Sequence, residues 1–276
     1  MQEVPYFKWS PAGNTTLFFP DTVVVDAEKP LLAACAQKED ALCAEQAGFI
    51  NIHKHTLCMA GGEFCVNATR AFGAHLALAA TKDASPDEAG RTMTFSVTVS
   101  GWPTPITVVT RGRDDVWDVQ ARLSSIDYTL RTQETGILQV SLPGITHLLL
   151  DHDTFPFSAQ NAQNILEEKI VRFRLEQEPC VGAIWWQQNA GDSSITPLVF
   201  VRTVKTCFFE KACGSGSLAL ACMLAETADQ QQRTFSILQP SGDPLLLSVD
   251  LRERTASVGG RVCLQSSGVF YYRKDI

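Results

Sequence analysis

The chain has 276 residues, 45% of them hydrophobic, with a net charge of −7 and a pI near 5.3. Such a length supports two domains of about 100 to 150 residues or one large one. The acidic balance, with no long basic run, excludes an electrostatic footprint for nucleic acid or an anionic membrane and points to a small-molecule partner. No stretch reaches the roughly 18 consecutive apolar residues of a membrane span. The opening residues Met1 to Lys8 lack the basic and apolar regions of an export signal, so a soluble cytoplasmic protein is expected.

In chain order, the first 25 residues predict a strand, a turn over Ser10-Pro11-Ala12-Gly13-Asn14, and further strand at Thr16 to Phe19 and Val23 to Val25. Residues 29–44 predict a helix and 48–53 a strand. His53 and His55 alternate with Lys54 on that strand and face solvent; with no third ligand at a suitable spacing, no metal site is expected. A helix through Ala71 to Leu78 follows, then short alternating runs at Met93 to Val99, Ile106 to Thr110 and Val116 to Leu123, which predict antiparallel strands. Ile137 to Leu150 reads as strand, Ala159 to Phe173 as helix, and Val181 to Trp186 with Pro197 to Val204 as strand again. A helix from Gly214 to about Ala228 and strands at Phe235 to Leu238, Pro244 to Val249 and Ala256 to Val262 complete the pattern. Each half thus predicts a mostly antiparallel sheet wrapped around one helix, an α/β (α+β) architecture of two pseudo-symmetric lobes.

Of the nine cysteines, two stand out. Cys65, in Gly62-Glu63-Phe64-Cys65-Val66-Asn67-Ala68-Thr69, and Cys213, in Glu210-Lys211-Ala212-Cys213-Gly214-Ser215-Gly216, each open an Ala/Leu-rich helical segment. They lie 148 residues apart, close to half the chain, as an internal duplication would place them. Unpaired N–H groups and the positive end of the macrodipole favour thiolates at helix starts, where cysteine pKa values fall from about 8.5 to roughly 3.5–7.5. Cys35, Cys43, Cys58, Cys180, Cys207, Cys222 and Cys263 read as small buried hydrophobes, reduced in a reducing compartment. Two sulfurs facing each other across a cleft suit removal of a proton from one face of a carbon and its return to the other. A cysteine hydrolase built on Cys213 and a histidine is an alternative, though it leaves Cys65 unexplained, as is a non-catalytic binding protein.

Across nearly the whole chain, the segments Pro11-Ala12-Gly13-Asn14, Glu45-Gln46-Ala47-Gly48-Phe49-Ile50, Gly62-Glu63-Phe64-Cys65, Pro197-Leu198-Val199, Cys213-Gly214-Ser215-Gly216 and Gln239-Pro240-Ser241-Gly242 resemble the diaminopimelate epimerase superfamily of cofactor-independent two-cysteine racemases and epimerases. The likeness is closer to the histidine racemases of the staphylopine metallophore pathway. The chain departs from the family at Val66, where glycine is usual, and at Lys211, where diaminopimelate epimerases carry arginine after the glutamate; the second departure argues against diaminopimelate as substrate.

The resemblance implies a diaminopimelate epimerase-like fold with an N-terminal lobe of residues 1–123, to which a strand at 266–276 returns, and a C-terminal lobe of 124–265. It implies a homodimer with no cofactor, interconverting L- and D-histidine or another amino acid, with the D-isomer feeding an opine-type metallophore. Cys65 and Cys213 would be the catalytic pair, one a thiolate base and the other a thiol acid. Asn14, Gln46 and Asn67 would line the pocket, with His147 near it. Glu45 and Glu210 would hold the α-ammonium or imidazole of the substrate. Ala68, Gly214, Ser215 and Gly216, at the two helix starts, would bind its carboxylate and stabilise the developing enolate.

Overall fold

The computed structural model describes residues 1–81, 91–189, 192–203, 205–228 and 232–273; Val204 and residues 274–276 of the anticipated strands lie outside them. The first half runs β1 (Gln2–Pro11), β2 (Thr16–Pro20), α1 (Lys29–Gln37), β3 (Gln46–Asn51), β4 (Thr56–Met59), α2 (Val66–Thr81), β5 (Met93–Val99), β6 (Ile106–Arg113) and β7 (Val116–Leu123). The second half runs β8 (Thr129–Glu134), β9 (Ile137–Leu142), β10 (Ile145–Asp151), α3 (Ala162–Arg172), β11 (Cys180–Gln188), β12 (Ser193–Val201), β13 (Thr206–Phe209), α4 (Gly214–Thr227), β14 (Gln232–Leu238), β15 (Pro244–Asp250) and β16 (Thr255–Tyr272).

The duplication is written into the connections. In the first half β2 pairs parallel with β3 across α1, and β4 pairs parallel with β5 across α2; other pairings there are antiparallel. In the second half β10 pairs parallel with β11 across α3, and β12 pairs parallel with β14 across α4. A parallel pair needs a crossover, and a helix supplies each of the four. All strands join one sheet, in which β16 lies between β7 and β15 and also pairs with β1. The ring from β1 through β7 to β16 is therefore closed, and the path from β16 to β8 is open at β8.

Strand alternation sorts side chains to the two faces. Phe18 of β2 packs inward with Phe72 of α2, while its neighbours Leu17 and Phe19 pack outward with Leu32 and Ala33 of α1. In the other lobe Leu149 points inward, whereas Leu148 and Leu150 face Leu166 of α3. The inner helices are buried around most of their circumference, as a surrounding sheet requires, and their apolar side chains share one continuous core.

Several elements differ from the sequence reading. The helix anticipated over residues 29–44 ends at Gln37; Leu42 and Cys43 N–H groups turn back onto the Glu39 carbonyl, and Cys43 adopts a φ of 43°, which sends Ala44 into the outer core. His53 and His55 lie on the turn between β3 and β4, not on a strand. The run 137–150 is two strands with Gly144 turning between them at φ 77°. Cys43 and Cys58 are exposed, so only part of the buried-hydrophobe reading holds, and all nine cysteines are free thiols.

Candidate active site

Both halves build the start of the inner helix in the same way. Cys65 immediately precedes α2, and its Sγ accepts the Ala68 N–H at 3.3 Å while its carbonyl accepts the Thr69 hydroxyl at 2.8 Å. Cys213 caps α4 from an extended conformation; its Sγ accepts the Gly216 N–H at 3.4 Å and its carbonyl the Ser217 hydroxyl at 2.7 Å. Each sulfur thus occupies the place of a capping oxygen.

The two helix starts meet. Gly214 lies so close to α2 that a Cβ there would stand 2.1 Å from Val66 Cγ1 and 2.9 Å from Asn67 Oδ1, and Asn67 Nδ2 donates to the Ala212 carbonyl at 3.0 Å. Valine in the family's glycine position is accommodated by the missing side chain opposite it. Between the starts lies a narrow cleft lined by Cys65, Val66, Asn67, Cys213, Gly214 and Ser215, with Gln46, Glu63, Cys180 and Glu210 around them. A neighbouring space shares Gln46, Glu63 and Glu210 and adds Glu45 and Phe208. The first-turn N–H groups of a helix have no intrahelical acceptor, so Val66, Asn67, Gly214 and Ser215 bring such donors to the cleft from both sides.

Burial dominates the electrostatics. It pushes the Cys65 thiol up to about 12, with the Glu210 carboxylate adding to the rise and the Ala68 N–H and Gln46 amide opposing it. Burial, and then Glu210, also hold Cys213 well above the usual thiol range. The lowering anticipated from helix position is therefore outweighed and both groups are held as thiols: one backbone N–H per sulfur does not offset desolvation. Burial likewise raises Glu210 to about 8, against the pull of its hydrogen bond from the Cys213 thiol, and Glu45 to about 7, against bonds from the Lys211 N–H and Asn14 amide. Glu63 is raised by burial too, and its Oε2 is enclosed without a hydrogen-bond partner.

Of the residues singled out from sequence, Cys65, Cys213, Gln46, Asn67, Glu210, Gly214 and Ser215 line the cleft, and Glu45 lines the adjoining space. Asn14 stands one step behind, donating to Glu45 at 2.9 Å and accepting from Gln46, whose amide in turn reaches Cys65 Sγ at 3.2 Å. Ala68 and Gly216 contribute their N–H groups to the sulfurs. His147 is fully buried behind Ser215, with Nε2 2.9 Å from its hydroxyl, which is 3.7 Å from Cys213 Sγ. Burial pushes this imidazole down to about 3, so it is neutral.

Three residues escaped the sequence reading. Glu63 and Cys180 line the cleft, and Gln239 accepts the Cys213 N–H at 2.9 Å while donating to Ser217. Glu63 and Gln239 lie in the segments that carry the family resemblance, which was the available signal. Among the described residues no group of three or more His, Cys, Asp or Glu side chains is disposed to hold a metal ion.

The fold is shared with solved structures. A hydroxyproline epimerase from Agrobacterium vitis superposes with a TM-score of 0.64 over 98% of this chain and 91% of that one, at 10% identity. A predicted epimerase from Pseudomonas aeruginosa superposes with a TM-score of 0.63 over 98% and 100%, at 13% identity. In sequence, the chain is 27% identical over 249 residues to a histidine racemase of Fusobacterium nucleatum subsp. nucleatum (strain ATCC 23726 / VPI 4351), covering 88% of each. It is 22% identical over 287 aligned positions to a histidine racemase of Staphylococcus aureus (strain Mu50 / ATCC 700699), covering 98% of each. The model of the histidine racemase CntK N-terminal domain matches residues 3–271, and the chain belongs to that family.

Proposed function

We propose that this chain is a cofactor-independent racemase that interconverts L- and D-histidine, with Cys65 and Cys213 as the two acid–base groups. The observation that carries the reading is the convergence of two equivalently capped cysteines on one cleft. One sulfur, as thiolate, takes the α-proton while the other, as thiol, delivers a proton to the opposite face; the reverse reaction exchanges the roles. Glu210, which acts electrostatically on both sulfurs, is the group to receive the proton that must leave the dithiol before turnover, and the substrate α-ammonium favours the resulting anion. The free N–H groups of the two helix starts hold the α-carboxylate and stabilise enolate charge as it forms. Glu45, Glu63 and Glu210 give the adjoining space an acidic lining that complements imidazole N–H groups and the ammonium.

Residues 1–123 with 266–276, and 124–265, act as the two jaws of the site. By likeness to the family the enzyme is a cytoplasmic homodimer, and its D-histidine feeds an opine-type metallophore. The deciding experiment is ¹H NMR of L-histidine in D₂O with reduced enzyme, Cys65→Ser and Cys213→Ser variants and a panel of other amino acids. Loss of the histidine α-proton signal and accumulation of D-histidine, only with both cysteines present, is the expected result. Exchange of another amino acid instead would keep the chemistry and replace the substrate; exchange of none would overturn the reading.

A further inference from the structure

Arg70 lies in the first turns of α2 and is fully buried, yet among the described residues the hydrogen-bond acceptors around its guanidinium are neutral. Its Nε donates to the Val119 carbonyl at 3.2 Å, one terminal nitrogen to the Asn67 side-chain oxygen at 3.1 Å, and the other to the Arg261 carbonyl at 3.3 Å. The fold makes room for it: a Cβ on Gly260, whose φ is 148°, would stand 2.9 Å from the guanidinium. The nearest acidic influence is Asp118, an exposed residue of β7 whose partners in the sheet register are Arg111 and Arg261. Removing a cation from water without a paired carboxylate is expensive, and a structure that keeps one spends stability that hydrogen bonds to carbonyls only partly return.

The charge is directed at the site. Asn67, gripped by Arg70 on one side, donates on the other to the carbonyl of Ala212, next to Cys213, and lines the cleft. Arg70 stands in the second turn of α2, the helix that Cys65 immediately precedes, and the two groups interact electrostatically. Among the described residues the second sulfur has no comparable cation: behind Cys213 stand Ser215 and a neutral His147. We propose that Arg70 is a positioning residue whose enclosed charge, in the second turn of the helix that Cys65 opens, places the thiolate of the cysteine pair on Cys65. This rests on the two-cysteine reading above.

Other charged or titratable groups facing the pair are Glu63 and Glu210, whose carboxylates raise Cys65, and Cys180 on β11; His75, further along α2, is held neutral among Phe7, Trp9 and Phe18. The test is iodoacetamide labelling of the intact protein from pH 6 to 11, with Cys65 and Cys213 followed separately by peptide mass spectrometry. Arg70→Gln is expected to slow Cys65 labelling about tenfold at a given pH, equivalent to about one pKa unit, and to leave Cys213 nearly unchanged. Arg70→Lys is expected to restore most of the rate. Asp118→Asn, an exposed change that removes opposing charge, is expected to speed Cys65 about twofold, the opposite sign. An unshifted Cys65 profile in folded Arg70→Gln, or an equal shift at both cysteines, would overturn the proposal. Should Arg70→Gln fail to fold, an unchanged Cys65 profile in Asp118→Asn would overturn it as well. Labelling is read without turnover, so absence of racemisation bears on the proposed activity alone.

Discussion

The lobe around α2 closes into a ring of strands, whereas the lobe around α4 stops at an open edge on β8. At their centres the contrast reverses. The two sulfurs receive matching backbone N–H and carbonyl–hydroxyl contacts, from Ala68 and Thr69 in one lobe and Gly216 and Ser217 in the other. Side-chain surroundings then diverge. Cys65 is served by Gln46, with Arg70 close by, and Cys213 by Ser215, His147, Gln239 and Glu210. The duplicated backbone fixes where each sulfur stands, and unduplicated side chains set how readily each gives up its proton. A reaction that is symmetric in its products thus sits in an asymmetric site.

The first way to break that comparison is to remove one sulfur at a time. Cys65→Ser and Cys213→Ser should each lower turnover by at least roughly 10²–10⁴-fold, read by chiral chromatography. A variant that still racemises near the wild-type rate would end the equivalence of the two lobes. Glu210→Gln should cost about 10²-fold, the scale of a lost acid–base partner, and should remove a limb of the kcat/KM profile that rises through about pH 8 as this carboxylate ionises.

The same group sharpens the stability profile. Folded Glu210 titrates at about 8 and Glu45 at about 7, above the ordinary 4.5, so the native state holds protons that the unfolded chain has released. Their contribution is complete below pH 4.5 and is lost as the pH rises toward 8. His147 and His75, lowered to about 3 and about 4 from 6.5, act in the other direction: their contribution is complete above 6.5 and is lost in acid. Thermal melts should peak between these limits, and Glu210→Gln should flatten the alkaline side.

Gly214→Ala tests the contact between the lobes. The added methyl overlaps Val66, and a cost of about 1–3 kcal/mol is expected, recovered in good part by Val66→Gly in the same chain and measured by thermal unfolding. Ser215→Ala should have the smallest effect. It removes the hydroxyl's contacts with Cys213 Sγ and His147 Nε2, and loss of the one at the sulfur, worth about 1 kcal/mol, should reduce turnover several-fold while leaving Cys65 labelling unchanged.

Much of the site was legible because its signals are local. A glutamate, a cysteine and small residues ahead of an Ala/Leu run specify a helix start without help from the rest of the chain, and both starts lie where that pattern puts them. The longer strands were legible through alternation, as in β7. Short or polar strands were not: β4 and β13 have four residues each, and β8, Thr-Leu-Arg-Thr-Gln-Glu, has no apolar stripe because no face of it is fully buried. The thiol acidities were misjudged for a related reason. Position on a helix can be read along the chain, but the desolvation that outweighs it comes from residues brought together only by the closed fold. Arg70 is the extreme case, since nothing next to it in sequence announces that its charge is enclosed.

The dual pairing of β16 also bears on how the molecule comes into being. This one strand serves β15 at its start, β7 through its middle and β1 along its second half, where Tyr272 stands opposite Gln2. On the ribosome, β1 finds β2 at once but must wait for both lobes to be made before its other neighbour, β16, exists, so neither lobe can finish as an independent unit during synthesis. Pairings of such long range are slow to form. Until β16 arrives, β1 and β7 present unpaired edges, which makes the interval before its synthesis the stage at which a chaperone matters most.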